Sequence, residues 1–223
     1  MPRTRELAGG GRAVEVAPQR LAGWFDRFAE QHGGAAETRL ASGTVEVRAA
    51  DGARATVDVP FGGLRQPEAV QPGLDVQLLV EHVNQPRTVG LVLVRKGAHS
   101  VGVARGGKVE QSTTDRHLVH GRTKAGGWSQ QRYARRRAGE SRRALESAAD
   151  AVARVLLPLR DELDGLVLGG DRQALDVLHS DSRLVDLLGV AEPRVLDVPE
   201  PRRAVLDEAA RRSVAVEIGV REG

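Results

Sequence analysis

The sequence predicts an α/β protein in which a mixed β-sheet flanked by helices follows a small α+β N-terminal module. Three observations predict this class. A nearly continuous apolar run, Thr88–Val94, is typical of a strand buried on both faces. Strands come first and then alternate with helices, and one long helical pattern covers about 129–157. We expect the 223-residue chain to divide into an N-terminal module at 1–70 and a larger domain at 71–223.

The N-terminal module is predicted from one helix and one hairpin. Roughly the first 18 residues are rich in glycine and arginine, which favours a loose tail. An amphipathic helix is indicated by four apolar residues at helical spacing: Leu21, Trp24, Phe25 and Phe28. Two alternating segments, 44–47 and 55–59, flank the turn-forming pair Asp51-Gly52 and predict a hairpin. The Pro- and Gly-rich stretch 60–72 is interpreted as a linker.

The larger domain is predicted to continue the apolar strand into a meander and then into alternating elements. The expected strands are 99–104, 108–112, 165–168 and 194–198, and the later helices begin at Asp171 and Pro201. The long helix between them carries two stripes of side chains, whose centres lie roughly 140° apart. The first half presents arginines to solvent, and the second half presents Leu145, Val152, Leu156 and their neighbours to a core.

Charge and composition restrict the function classes. Cysteine is absent, which excludes disulfides, thiolate metal sites and cysteine nucleophiles. The segment 116–143 holds nine basic residues and one acidic residue, whereas the rest of the chain is net acidic. Such a basic island predicts a polyanionic partner, most simply a nucleic acid, although a short run of charge also occurs on solvated helix faces. No apolar run is long enough to span a bilayer and no secretory signal is visible, so we expect a cytoplasmic protein.

The segment 120–137 concentrates the residues that could carry chemistry. It opens with His120-Gly121-Arg122, continues through Lys124 and Gly126-Gly127 to Trp128 and Ser129-Gln130-Gln131, and ends in Arg132-Tyr133-Ala134-Arg135. Paired glycines suit a sharp bend or a close approach to a ligand. Neutral amides beside guanidinium groups, which are planar donors for phosphates, fit hydrolysis of a bond attached to RNA.

This segment resembles the catalytic middle domain of eukaryotic and archaeal class I peptide release factors. The signature of that family is a His-Gly-Arg run, Gly-Gly-Gln, and then a serine and an Arg-Phe-Ala-Arg-like helix start. Downstream, 165–170 is similar to the Gly-Leu-Val-Leu-Ala-Gly strand of the family, and the resemblance covers about 85–215. The sequence departs from the family at Trp128, which occupies the position of the release-factor glutamine. The loop before this position is two residues longer in this chain than in the family. A Gly-Gly-Ser-Gln-like tip instead resembles the peptidyl-tRNA hydrolases of ribosome-associated quality control, and the actinobacterial members of that branch in particular.

The resemblance implies an RNase-H-like domain that cleaves the ester between a nascent peptide and tRNA on the large ribosomal subunit. It implies catalytic roles for Gln130, or else Gln131, with Gly126, Gly127 and Ser129. A glutamine amide is not a general base, so its expected role is to position water while glycine N–H groups face the oxyanion. The implied contacts to tRNA or rRNA are Arg122, Lys124, Trp128, Arg132, Arg135, Arg136, Arg142 and Arg143. We expect a monomer that needs no cofactor, metal or membrane; a non-catalytic ribosome- or RNA-binding rescue module is the alternative.

Weaker readings of the same residues remain open at this point. One glutamine could cap or solvate the helix start, and Trp128 could stack on a base or pack on its own loop. An acyl-transfer triad drawn from Asp115, His117, His120 and Ser129 lacks a strained nucleophile turn. The pair His117 and His120 lacks a third metal ligand. The glycines 169–170 before a helix could hold a phosphate or merely turn the chain.

Overall fold

The computed structural model describes residues 3–95, 97–116 and 128–223, with the backbone alone over 128–138. The elements in chain order are β1 (Thr4–Glu6), β2 (Arg12–Val16), α1 (Leu21–Gln31), β3 (Ala35–Leu40), β4 (Thr44–Ala49), β5 (Arg54–Asp58), β6 (Ala69–Pro72), α2 (Gln77–Val83), β7 (Thr88–Arg95), β8 (Ala98–Arg105), β9 (Lys108–Arg116), α3 (Trp128–Leu156), β10 (Gly165–Gly170), α4 (Arg172–His179), α5 (Val185–Leu188), α6 (Arg203–Ser213) and β11 (Val216–Arg221). Two compact units result: residues 1–86 with 214–223, and residues 87–213.

The first unit is a seven-stranded antiparallel sheet in the order β1-β2-β11-β5-β4-β3-β6. Helices α1 and α2 contribute Leu21, Phe25, Phe28 and Leu79 to its apolar core, so the amphipathic helix is confirmed. The predicted hairpin is also confirmed, because β4 and β5 pair around a turn in which Gly52 has a φ of +94°. That backbone angle is accessible to glycine at little cost.

Three expectations for the N-terminal part are corrected by the sheet. The glycine- and arginine-rich start is not a loose tail, because β1 and β2 form an antiparallel pair within the sheet. The stretch 60–72 is not only a linker, because it ends in β6, which pairs with β3. The strand β11, which the sequence did not reveal, lies between β2 and β5, with Ile218 opposite both Val14 and Val57. The units therefore divide the chain differently from the expected ranges 1–70 and 71–223.

The second unit is built on a mixed four-stranded sheet in the order β10-β7-β8-β9. Strand β7 is buried over seven of its eight residues, pairs antiparallel with β8 and parallel with β10, and confirms the expected buried strand. Strand β9 closes the meander and is exposed along most of its length. The expected mixed sheet is confirmed.

Helices cover both faces of this sheet. Apolar side chains of α3 and α4 share one core with alternate residues of β7, β8 and β10. Helix α6 lies against the opposite face, where Gly102 leaves room for it: a Cβ at this position would come within 3.0 Å of Leu206 and 2.7 Å of the Gln111 carbonyl oxygen. The sheet is thus flanked by helices, as the sequence predicts.

The segment expected to form a strand at 194–198 is reduced to a single parallel bridge between Gly169 and Leu196. The reason is competition for its carbonyl groups. Arg95 donates to the Val198 carbonyl at 2.6 Å, and the buried Arg212 donates to the Asp197 carbonyl at 2.8 Å. Leu196 bonds β10 through its own N–H and carbonyl, so the next carbonyl on that side is that of Val198, which Arg95 occupies.

Candidate functional site

Helix α3 carries most of the residues that the sequence singled out. Its first turn contains Trp128, Ser129, Gln130 and Gln131, so these positions lie at the start of the helix rather than in the loop before it. Positions 132, 135 and 136 follow on the next two turns; only their backbone is described. Arg122, Lys124, Gly126 and Gly127 lie outside the described residues, as do His117 and His120 of the alternative triad and metal pair.

The second half of α3 anchors the helix in the core of the second unit. Its buried residues are Ala144, Ala148, Ala149, Ala151, Val152, Val155 and Leu156. Alanines at helical spacing let the backbone lie close to the sheet. A 29-residue helix is about 43 Å long, whereas eight-residue strands span about 26 Å. The helix is therefore longer than the strands by roughly three turns.

Arg142 and Arg143 lie just before this anchored part, and both side chains are exposed. Among the described residues, no carboxylate forms an ion pair with either of them. Two adjacent cations without an internal partner are available to an anion from outside the protein. The last part of the predicted arginine set is thus at the surface, while positions 132, 135 and 136 belong to the same helix.

The strand that leads into the predicted catalytic segment is fixed at its end. Arg116, the last residue of β9, donates to the Glu200 carboxylate at 2.9 Å. Two residue pairs earlier, Ser100 and Thr114 share a hydroxyl–hydroxyl hydrogen bond of 2.8 Å across β8 and β9. His99, which is 2% exposed, stands opposite Asp115 in the same ladder. The sequence analysis missed Glu200, and no local pattern connects it with Arg116.

A polar groove of about 490 Å³ lies between α3 and the exposed strand β9. Nine residues line it: His99, Thr113, Thr114, Asp115, Arg143, Glu146, Ser147, Asp150 and Arg154. Its α3 residues recur at spacings of three, four and seven, which places them on one stripe of the helix. Of this lining, the sequence analysis had assigned RNA contact to Arg143 alone. The other α3 residues of the groove could have been predicted from the polar stripe that runs along the helix beside the buried alanines.

One carboxylate of this groove, that of Asp150, forms an ion pair within the second unit. Arg183 makes ion pairs with Asp150 at 2.9 Å and Asp181 at 2.7 Å, and so ties α3 to the segment before α5. Hydrogen bonds from the Arg183 side chain and backbone hold the pKa of Asp181 below its ordinary value. Side-chain hydrogen bonds of the guanidinium, to Asp181 first and then to Asp150, raise the pKa of Arg183. Asp150 is thus engaged by a guanidinium that it shares with Asp181.

The glycines at the end of β10 turn the chain. Gly170 has a φ of +107°, and a Cβ there would lie 2.2 Å from the Val94 carbonyl oxygen. Its N–H donates to the Leu196 carbonyl at 2.9 Å, and the N–H of Asp171 donates to the Val94 carbonyl at 2.9 Å. Asp171 then caps α4 by accepting from the Gln173 N–H. These backbone donors are already occupied, which favours the turn over a phosphate site.

The described residues offer neither a metal site nor a membrane-spanning helix. Within that part of the chain, no cluster of three or more histidine, aspartate or glutamate side chains is arranged to hold a metal ion. None of the helices described there combines the length and apolar character needed to cross a membrane.

Comparison with known proteins defines the class. The chain is 37% identical over 83 residues to peptide chain release factor subunit 1 of Thermococcus sibiricus, and 36% identical over 83 residues to that of Pyrococcus abyssi. Each match covers 36% of this chain but only 20% of the relative, so the chain matches about a fifth of the length of these proteins. Among solved structures, archaeal translation termination factor aRF1 aligns with 12% identity and a TM-score of 0.38, covering 89% of this chain and 72% of that one. Yeast Dom34, a translation termination-like factor, aligns with 9% identity and a TM-score of 0.37, covering 96% and 69%.

The sequence matches identify a release-factor-like protein of translation. The sequence model of one family, the Actinobacteria/chloroflexi VLRF1 release factors, matches residues 87–219, which is more than half of the chain. The chain belongs to that family. The resemblance expected from the sequence is thereby confirmed.

Proposed function

We propose that this protein hydrolyses the ester between a nascent peptide and tRNA held on the large ribosomal subunit, in ribosome rescue. The observation that carries the proposal is the position of α3, whose first turn contains Gln130 and Gln131 and whose continuation carries the arginines. One helix then carries both the glutamine amide that would act on the acyl linkage and the arginines that would bind the attached RNA. Membership in a release-factor family supports the same assignment.

The chemistry assigned to the site is attack of water on the ester carbonyl. The oxygen of water bonds to the carbonyl carbon, the bond to the 3′ oxygen of tRNA breaks, and that oxygen takes up a proton. The amide of Gln130, or else of Gln131, orients the water, because neither amide titrates near neutral pH. Backbone N–H groups of Gly126 and Gly127 stabilise the oxyanion, and Ser129 adds a hydrogen bond beside them.

The remaining predicted residues hold the RNA. Arg132, Arg135, Arg136, Arg142 and Arg143 contact phosphates along α3, because a guanidinium is a permanently charged fork of donors. Arg122 and Lys124 contact phosphates before the helix, and Trp128 stacks on a base. The protein acts as a monomer in the cytoplasm, where ribosomes are, and needs no metal or cofactor for this reaction. The strand order and the parallel β7–β10 pair support an RNase-H-like assignment for the second unit.

The test is peptide release from peptidyl-tRNA on purified large subunits. We expect Gln130→Ala to lower the release rate by about 100- to 1000-fold, as loss of one oxyanion or water-positioning group does, while subunit binding is unchanged. Gln173→Ala, an exposed glutamine at the start of α4, is the matched control and keeps full activity. Full activity in a Gln130→Ala, Gln131→Ala double variant refutes the proposal.

A non-catalytic ribosome-binding module is the second candidate. The observation in its favour is Trp128, which stands where release factors have their glutamine. This candidate predicts salt-sensitive binding to the large subunit with no peptide release by the unaltered protein. The same assay therefore separates the two functions.

A further inference from the structure

The polar groove between α3 and β9 continues a line of arginines that begins near the start of the helix. At 100° per residue, positions 132, 136, 143 and 154 fall within about 40° of one another around the helix. Positions 132 and 136 lie before the sheet-anchored part of α3, and positions 143 and 154 belong to the groove. A polyanionic chain bound along this stripe from the start of the helix would therefore enter the groove.

The groove offers two arginines, three carboxylates (Asp115, Glu146 and Asp150) and several hydroxyl groups to a ligand. Arg143 and Arg154 are exposed, and no described carboxylate pairs with them. Eleven residues separate them, or about 16 Å along the helix, which is the rise of roughly five stacked nucleotides. Asp150 is ion-paired with Arg183, and Asp115 accepts a hydrogen bond from the Arg116 N–H. Glu146 is therefore the groove carboxylate on α3 that forms no ion pair among the described residues.

These groups suit a ribonucleotide strand better than a deoxyribonucleotide strand. Guanidinium groups bind the phosphates at the two ends of the groove. Between them, Glu146 accepts a hydrogen bond from a ribose 2′-hydroxyl, and the hydroxyls of Thr113 and Ser147 lie within the same lining. A ribose 2′-hydroxyl is a common partner for a protein carboxylate. DNA lacks the group that Glu146 would recognise.

We propose that the groove between α3 and β9 binds a single-stranded RNA segment, with Arg143 and Arg154 on its phosphates and Glu146 on a 2′-hydroxyl. The inference rests on the proposed function and extends it, since it adds Arg154 and Glu146 to the RNA contact already assigned to Arg143, about 20 Å or more along the helix from Gln130. It also names the feature by which the protein distinguishes RNA from DNA. A basic peptide is the other class of ligand that a carboxylate in a groove could take.

The experiment measures binding of the full-length protein to labelled single strands of about ten nucleotides, as RNA and as DNA of the same sequence. The unaltered protein should favour RNA by about three- to tenfold, since a solvent-exposed hydrogen bond to a charged group is worth part of its buried value. Glu146→Gln should remove most of that preference, and Arg154→Gln should weaken both strands by a similar factor. Asp176→Asn and Arg172→Gln, at exposed positions of α4, are matched controls and should change neither quantity.

The outcomes separate this inference from the proposed function. Three results would overturn the groove inference. They are equal binding of RNA and DNA by the unaltered protein, an RNA preference that survives Glu146→Gln, and tighter binding of a basic peptide than of RNA. Intact tRNA, tRNA lacking its single-stranded 3′ end, and large subunits used as competitors show whether the strand belongs to tRNA or to rRNA. Peptide release and its loss in Gln130→Ala are measured separately, so failure of the groove leaves that result standing.

Discussion

Replacing Arg142 and Arg143 together with glutamine tests whether α3 binds phosphates of ribosomal RNA or tRNA. Both side chains are exposed, and neither has a carboxylate partner among the described residues. Each guanidinium that neutralises one phosphate adds about 0.7–0.9 to the slope of log K against log salt concentration, because it releases condensed counterions. The double variant should therefore lower that slope by about 1.4–1.8.

This difference is large enough to measure by titration with purified large subunits. Between about 50 and 200 mM salt, the unaltered protein should lose roughly tenfold more affinity than the variant does. The matched control is a double Arg172→Gln, Arg202→Gln variant, which removes two exposed arginines elsewhere in the second unit. An unchanged slope in the Arg142, Arg143 variant, or an equal decrease in the control, would refute the reasoning that α3 is the phosphate-binding element.

Three further predictions concern stability. Gly170→Ala should lower the free energy of unfolding of the second unit by about 3 kcal/mol or more, because its φ is positive and the new Cβ would lie 2.2 Å from the Val94 carbonyl oxygen. Gly139→Ala, in a helix interior with open space around it, should raise the same free energy by about 0.5–1 kcal/mol. Thermal melts of the two variants check both signs. Hydrogen bonds from the Ala53 N–H and then from His32 hold the pKa of Asp51 below its ordinary value. The ionised carboxylate therefore stabilises the first unit above about pH 4, and this contribution is lost as the pH falls through the folded-state pKa. An Asp51→Asn variant should show a flatter acid unfolding curve. Deleting β11 should abolish hydrogen-exchange protection in β2 and β5 but leave it in β7 and β8, and protection retained in β2 would contradict the sheet order.

The elements that could be predicted are those whose own sequence fixes their environment. Strand β7 is apolar from Val89 to Val94 because both faces are covered by helices. The buried face of α1 is recognised from Leu21, Phe25 and Phe28 at helical spacing. The end of α3 is marked by Pro158, which cannot continue a helix. In each case a local pattern and a tertiary environment coincide.

The rest depends on partners distant in the chain. Strand β11 pairs with β2 and β5, whose residues precede it by more than 150 positions, so its alternating sequence gains meaning only when the sheet is known. The second unit, 87–213, is accordingly inserted between two parts of the first. The same holds for the groove, because Thr113 and Arg154 meet only when α3 packs against the sheet. Arg143 could be assigned from charge alone, whereas Glu146 needs its surroundings to be recognised.

Packing in the core determines the direction from which RNA can approach the proposed site. The buried alanines of α3 and its groove-lining stripe differ by roughly 120° around one helix axis. Because Ala144, Ala148 and Ala151 lie against the sheet, the azimuth of every other position on α3 is fixed, including that of Gln130. Ala148 is 18 residues from Gln130, or about 27 Å along the helix, yet a larger side chain there would tilt or rotate the helix and displace its start. The orientation of the proposed site thus depends on small residues that never contact the substrate.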